Sequence, residues 1–112
     1  MKPRQFKFKA WDEESQLMKR LNQIDCMKGT LLKKGHILLQ YTGLKDKSET
    51  EIYEADILLI RSAKHLIIWD EDMNRWARIE QKQPDQRHPV LAKDLEEAVK
   101  LCSYYESPES FN

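Results

Sequence analysis

Ile57-Leu58-Leu59-Ile60-Arg61-Ser62-Ala63-Lys64-His65-Leu66-Ile67-Ile68-Trp69-Asp70-Glu71-Asp72-Met73-Asn74-Arg75-Trp76-Ala77-Arg78-Ile79-Glu80 is the stretch that decides the fold. It holds three runs of strand length, Ile57 to Arg61, Lys64 to Trp69 and Arg75 to Glu80, all rich in β-branched and aromatic residues. A tight Ser62-Ala63 link joins the first two and the polar Asp70 to Asn74 joins the second pair, so the pattern predicts a three-strand antiparallel meander. In the last run alternation puts Trp76 and Arg78 on one face, Ala77 and Ile79 on the other.

Working outward, more strand signals appear. Ile37-Leu38-Leu39-Gln40-Tyr41 follows Gly35-His36, and Ile52-Tyr53 leads into the meander after a polar Thr42 to Thr50 loop. Near the start, Phe6, Phe8 and Ala10 alternate with Lys7, Lys9 and Trp11, which predicts a strand with its phenylalanines in the core and its lysines wet. Asp12-Glu13-Glu14-Ser15 turns the chain, and Leu17-Met18 starts a returning strand. Lys19 to Lys34 has no sustained period and reads as irregular or weak strand. Gln81 to Pro89 is a loop too short for a domain linker. In the tail, Leu91, Leu95, Ala98, Val99 and Cys102 have helical spacing, whereas Val99, Leu101, Ser103 and Tyr105 alternate; the reading is a short helix over 91–97 and a strand after it.

At 112 residues the chain predicts one domain over 1–112, with room for one modest core. Lys and Arg total 19, as do Asp and Glu, so the formal net charge is zero, against a dedicated nucleic-acid coat or a polybasic membrane binder. Residues 1–35 carry an excess of five positive charges and residues from Pro84 onward an excess of three negative ones, which read first as solvated surface. No run is long enough to span a bilayer, and no apolar stretch follows the first basic residues, so the expectation is a cytoplasmic protein without a membrane role. Cys26 and Cys102 are accordingly expected to remain thiols.

No catalytic, cofactor-binding or metal-binding set emerges. Asp70, Asp72 and Asn74 match the start of a calcium loop, but Arg75 stands where the loop needs Gly and Gln81 where it needs Glu, so an acidic hairpin turn is the better reading. His36, His65, His88 and the two cysteines lack paired ligand spacing, and no nucleophile motif surrounds either thiol; an enzyme would need a pocket joining two of Cys26, His36, His65 and Cys102. What remains is aromatic and basic: Phe6, Lys7, Phe8, Lys9 and Trp11, then Trp69, Arg75, Trp76 and Arg78, of which Arg75, Trp76 and Arg78, with Lys7 and Lys9, are the candidate contacts to a partner or to nucleic acid.

Three blocks of the sequence carry a resemblance. Lys7-Phe8-Lys9-Ala10-Trp11-Asp12, then Gln40-Tyr41-Thr42-Gly43-Leu44-Lys45-Asp46-Lys47 with Glu51-Ile52-Tyr53-Glu54-Ala55-Asp56-Ile57, then Cys102-Ser103-Tyr104-Tyr105-Glu106-Ser107-Pro108-Glu109 occur in order. Together they resemble the YopX family of phage and prophage proteins, across nearly the whole chain. Where that family has an Asn-Gly turn this chain has Ser48-Glu49, and the family's glycines before Asp56 and near the tail are Ala55 and Cys102. The local turns are therefore expected to differ.

The resemblance implies a small, mainly β protein with at most one short helix, built on an SH3-like barrel with an N-terminal strand region, from a phage or prophage and acting in the host bacterial cell. It implies no reaction and no cofactor. The functional expectation is a non-catalytic module that binds a protein or itself, and the alternative is a nucleic-acid-binding small barrel. The first predicts an exposed aromatic residue such as Trp76 or Tyr105 on an apolar patch.

Overall fold

The computed structural model describes residues 7–21 and 36–112. Their strands are β1 (Phe8–Asp12), β2 (Leu17–Leu21), β3 (His36–Lys45), β4 (Glu51–Tyr53), β5 (Asp56–Ile60), β6 (Ala63–Asp70), β7 (Arg75–Glu80), β8 (His88–Pro89) and β9 (Val99–Ser103). Among the described residues there is one α-helix, α1 (Ala92–Glu97), and a 3-10 turn at Pro108–Ser110. All pairings are antiparallel, in two sheets of order β2-β1-β3-β4 and β8-β7-β6-β5-β9. The protein is mainly β, as the strand patterns and the resemblance imply. The stretch 22–34 of the irregular reading, and Cys26 within it, lie outside the described residues.

The meander is β5-β6-β7, in register from Ile57↔Leu66 to Ile60↔Ala63 and from His65↔Glu80 to Asp70↔Arg75. Its first turn is Arg61-Ser62 rather than Ser62-Ala63: both residues have positive φ, 48° and 71°, and Ala63 already pairs with Ile60. Two consecutive left-handed residues match the right-handed twist of a tight hairpin. At the second turn the Asp70 carboxylate accepts the amides of Asp72 (3.1 Å) and Met73 (3.4 Å), so the acidic segment is a hairpin turn. Asp12 repeats the device between β1 and β2, accepting from Glu14 (3.1 Å) and Ser15 (3.4 Å). The apolar residues of the meander and their neighbours meet in a core of Ile52, Leu58, Ile60, Ile67 and Ala98, with Leu44, Trp76, Val90 and Leu95 packed around it. Each fully buried Ile or Leu there contributes about 1.5–3 kcal/mol.

Three expectations are corrected. Thr42 to Lys45 is strand, not loop, because Gly43 (φ 83°) makes a bulge between Tyr41 and Leu44 that lets β3 change partner from β1 to β4. The Thr42 hydroxyl secures it, donating to the Ile52 carbonyl (2.7 Å) and accepting the Leu44 amide (3.0 Å). Secondly, two of the three residues that stand in for glycines are left-handed all the same, Glu49 with φ 63° and Ala55 with φ 69°, whereas Cys102 lies in β9. Surrounding hydrogen bonds hold Ala55, whose amide donates to Ile67 O and whose carbonyl accepts from Tyr104 N, both at 2.8 Å. Thirdly, the lysine face of β1 is not simply wet. Trp11 is buried against Tyr105, Lys9 Nζ lies 4.2 Å from the centre of the Tyr53 ring, and Lys7 Nζ 5.4 Å from that of Tyr41. Long lysine stems can cover aromatic rings while their ammonium groups reach water.

Candidate functional site

β4 and β5 are short and the strands beside them are long, and this mismatch opens a groove. After Tyr53 the chain crosses from β3 to β6 in two residues: the Glu54 amide donates to Gln40 O and the Ala55 amide to Ile67 O, each at 2.8 Å. Beyond that junction the first half of β3 and the last residues of β6 part. Between them lies a cavity of about 310 Å³, whose walls include Leu38, Leu39, Ile68 and Trp69, with Tyr104 and Tyr105 from the segment after β9. Trp69 is 39% exposed. Tyr104 and Tyr105 pack edge to face with centroids 5.9 Å apart. Burial, then the charges of Glu54 and Glu13, hold the Tyr105 phenol above its ordinary range.

The residues singled out from the sequence fall into two groups, in different places. Trp76 and Arg78 do share a face of β7, but it is the inner one. Trp76 packs on the core and meets Trp69 edge-on at 5.1 Å, and its indole N–H is buried without a hydrogen-bond partner among the described residues. Arg78 Nε donates to Asp94 Oδ2 and to the Pro89 carbonyl, both at 3.2 Å, while Nη1 lies 3.4 Å from His65 Nδ1. Arg75, on the opposite face, lies 3.8 Å from the buried Asp70 carboxylate, which also accepts from Arg87 at 3.2 Å. Lys7 and Lys9 belong to the other sheet. Lys7 pairs with Glu51, and Lys9 sits with Lys100 over the Tyr53 ring, where burial and then the Lys100 charge push its pKa down.

Around α1 the polar chemistry is a latch. Asp94 is wholly buried and receives Arg61 Nη2 (2.6 Å), Arg78 Nε (3.2 Å) and the Leu91 amide (2.9 Å), the last forming one half of a capping box. Burial would raise the Asp94 pKa, yet the hydrogen bonds from Arg61 and Leu91 and the charge on Arg78 outweigh it and hold it below the ordinary value. Arg61 also pairs with Glu97. His65 is pushed down by burial and by Arg78.

His36 lies 3.5 Å from Asp12, and Cys102 Sγ lies 3.5 Å from the Ser110 hydroxyl, so the described members of the histidine and cysteine set each have a different neighbour. Among the described residues no three His, Cys, Asp or Glu side chains are grouped to hold a metal ion, and no helix is long and apolar enough to cross a membrane. Sequence reading includes Trp69 in the aromatic and basic set but favours Trp76 as the contact, and it misses Tyr104 as a groove residue. Their aromatic character was visible, but alternation alone does not tell which of two cross-strand tryptophans stays exposed.

Fold and groove together define a small antiparallel β domain, with two sheets and one short helix among the described residues. The sequence profile of the YopX family, described as YopX protein, matches residues 7–110, and the chain belongs to that family. No curated protein matches the sequence. In three dimensions the chain is similar to the crystal structure of protein EF1440 from Enterococcus faecalis. The TM-score is 0.64 at 18% identity, covering 96% of this chain and 98% of that one, a likeness of fold.

Proposed function

We propose that this YopX-family protein is a non-catalytic protein-binding module of phage or prophage origin, acting in the bacterial cytoplasm, whose partner docks in the groove between β3 and β6. The observation that carries the reading is Trp69, a large aromatic residue left 39% exposed at an apolar, aromatic-lined groove. Exposed aromatics in such grooves supply most of the binding energy of protein interfaces. We read the five-stranded sheet with α1 as an SH3-like small barrel, a scaffold that serves binding through edges and loops. The alternative, nucleic-acid binding through Lys7, Lys9, Arg75, Trp76 and Arg78, has less support. Lys7, Arg75 and Arg78 each face a carboxylate, and the net charge is zero.

The test is site-specific photocrosslinking in bacterial cells, with benzoylphenylalanine at Trp69 and, as a control, at the exposed Lys82 outside the groove. Discrete adducts from position 69 and none from 82 support the reading; an adduct at twice the chain mass makes the partner a second copy. Equal, diffuse labelling from both positions overturns it.

A further inference from the structure

Pairing across β3 stops short on one side. Toward β1 it is bonded along its first half, Phe8↔Gln40 to Asp12↔His36, whereas β4 begins to pair only at Tyr41↔Tyr53. The Gln40 carbonyl accepts the Glu54 amide on the β4 side, and the Tyr41 amide donates to Lys7 O on the β1 side. Strand residues alternate in the direction of their main-chain groups, so Leu38 and His36 aim N–H and C=O outward with Gln40. Of these residues Leu38 lines the groove, and among the described residues no strand pairs with it on that side. The opposite wall has the same character. Ile67 O accepts Ala55 N on the β5 side of β6, and β5 pairs with β6 only as far as Leu66, so Trp69, two residues on, also aims its main-chain groups into the groove.

Exposed edges are ordinarily blunted with Lys, Pro or a bulge. The edge segment His36-Ile37-Leu38-Leu39-Gln40 has neither Lys nor Pro, and the β3 bulge comes only after Tyr41. The rim adds a charge preference. Glu54 lines the groove and Glu13 acts with it on Tyr105, and neither carboxylate has a cationic partner among the described residues.

We infer that the groove takes its partner as an added β-strand on the outer edge of β3, and that this strand alternates apolar with basic side chains. The inference rests on the groove being a protein-docking site and specifies how it docks. Five edge residues span about 17 Å, so a segment of about seven residues suffices. Its apolar side chains, on every second position, face the tyrosines and Trp69, and the residues between carry Lys or Arg to Glu13 and Glu54.

The test uses the full chain, ¹⁵N-labelled, and three probes: acetyl-Lys-Val-Lys-Val-Lys-Val-Lys-amide, the same peptide N-methylated at alternate residues, and its Glu-for-Lys counterpart. The expected result is saturable shifts of the Leu38 and Trp69 amides with the Lys-Val peptide, and slowed exchange of the Leu38 N–H. N-methylation should weaken binding about tenfold, the loss of two net hydrogen bonds. Glu for Lys should weaken it about as much at low salt. As a second arm, Leu38→Pro deletes one outward donor without touching the β1 ladder, and should reproduce the loss with the fold intact by circular dichroism. Equal binding of the N-methylated peptide, or no shift at Leu38 up to about 1 mM, overturns the added strand. If Trp69 crosslinks all the same, docking stands and only its mode falls; if Trp69 gives no adduct either, both fall.

Discussion

Replacing Asp94 with alanine removes the group that ties α1 to the meander, and the size of the effect follows from its three partners. Arg78 Nε lies 3.2 Å away on a side chain only 16% exposed, so this charge-assisted hydrogen bond contributes about 1.5–3 kcal/mol. The Arg61 contact is shorter, 2.6 Å, but that side chain is 46% exposed, and solvent screening leaves it the weaker of the two ion pairs. Loss of the Leu91 amide's acceptor adds about 1 kcal/mol. The Arg78 and Leu91 bonds together give about 2.5–4 kcal/mol, close to the range for breaking a buried ion pair and a large share of a small domain's stability. Urea unfolding at neutral pH should show this loss, and thermal unfolding a fall in Tm of about 10–16 °C.

The single variants should rank in the same way, Arg78→Gln costing more than Arg61→Gln. The Asp94 pKa is lowered on folding, so its contribution is fully present above the ordinary carboxylate value of about 3.9 and is lost as pH falls through the folded value. The gap between wild type and Asp94→Asn should therefore be constant above about pH 5 and shrink below about pH 4. A cost for Asp94→Ala under about 1 kcal/mol, or Arg61→Gln matching the whole effect, refutes the latch.

Ala55→Gly should stabilise the fold by about 1 kcal/mol, because Ala55 holds a φ of 69° that costs an L-residue and not glycine; a lowered Tm in a thermal melt would refute this. Gly43→Ala should destabilise by about 1 kcal/mol from its φ of 83° alone, since nothing lies within 4 Å of an added Cβ; a much larger loss in urea unfolding would mean that the bulge itself had collapsed. Tryptophan fluorescence should stay flat on titration with single- and double-stranded oligonucleotides at low and at physiological salt; saturable quenching that weakens with salt would favour the nucleic-acid reading.

The parts of the fold legible in the sequence were those with local causes. The three strands of the meander follow from β-branched runs between polar turns, and the tail resolves into α1 and β9 because its helical and alternating patterns occupy successive segments rather than competing for one. The Arg61-Ser62 turn was displaced by one residue because neither residue is a usual left-handed one, so hairpin register and not turn composition sets the link. Lys7 and Lys9 read as wet because alternation separates two faces without saying what lies over each; the tyrosines on this face come from β3, β4 and the segment after β9.

The groove depends on a comparison that no local window contains. β3 has ten residues and β4 only three, β6 has eight and β5 only five. Surplus strand on either side alone would leave an ordinary edge. Here both surpluses emerge on one side of the junction, because Glu54 and Ala55 bond to Gln40 and Ile67 in consecutive residues and Tyr104 closes behind them on the Ala55 carbonyl. The left-handed Ala55 is what turns the chain between the two bonds. The residue that departs from the family's glycine therefore sits at the hinge of the groove, and the ladder keeps the conformation that glycine would have adopted freely. A turn held by its bonds at the cost of local strain fits a role in setting the separation of two strand edges, which is the dimension an added strand would have to match.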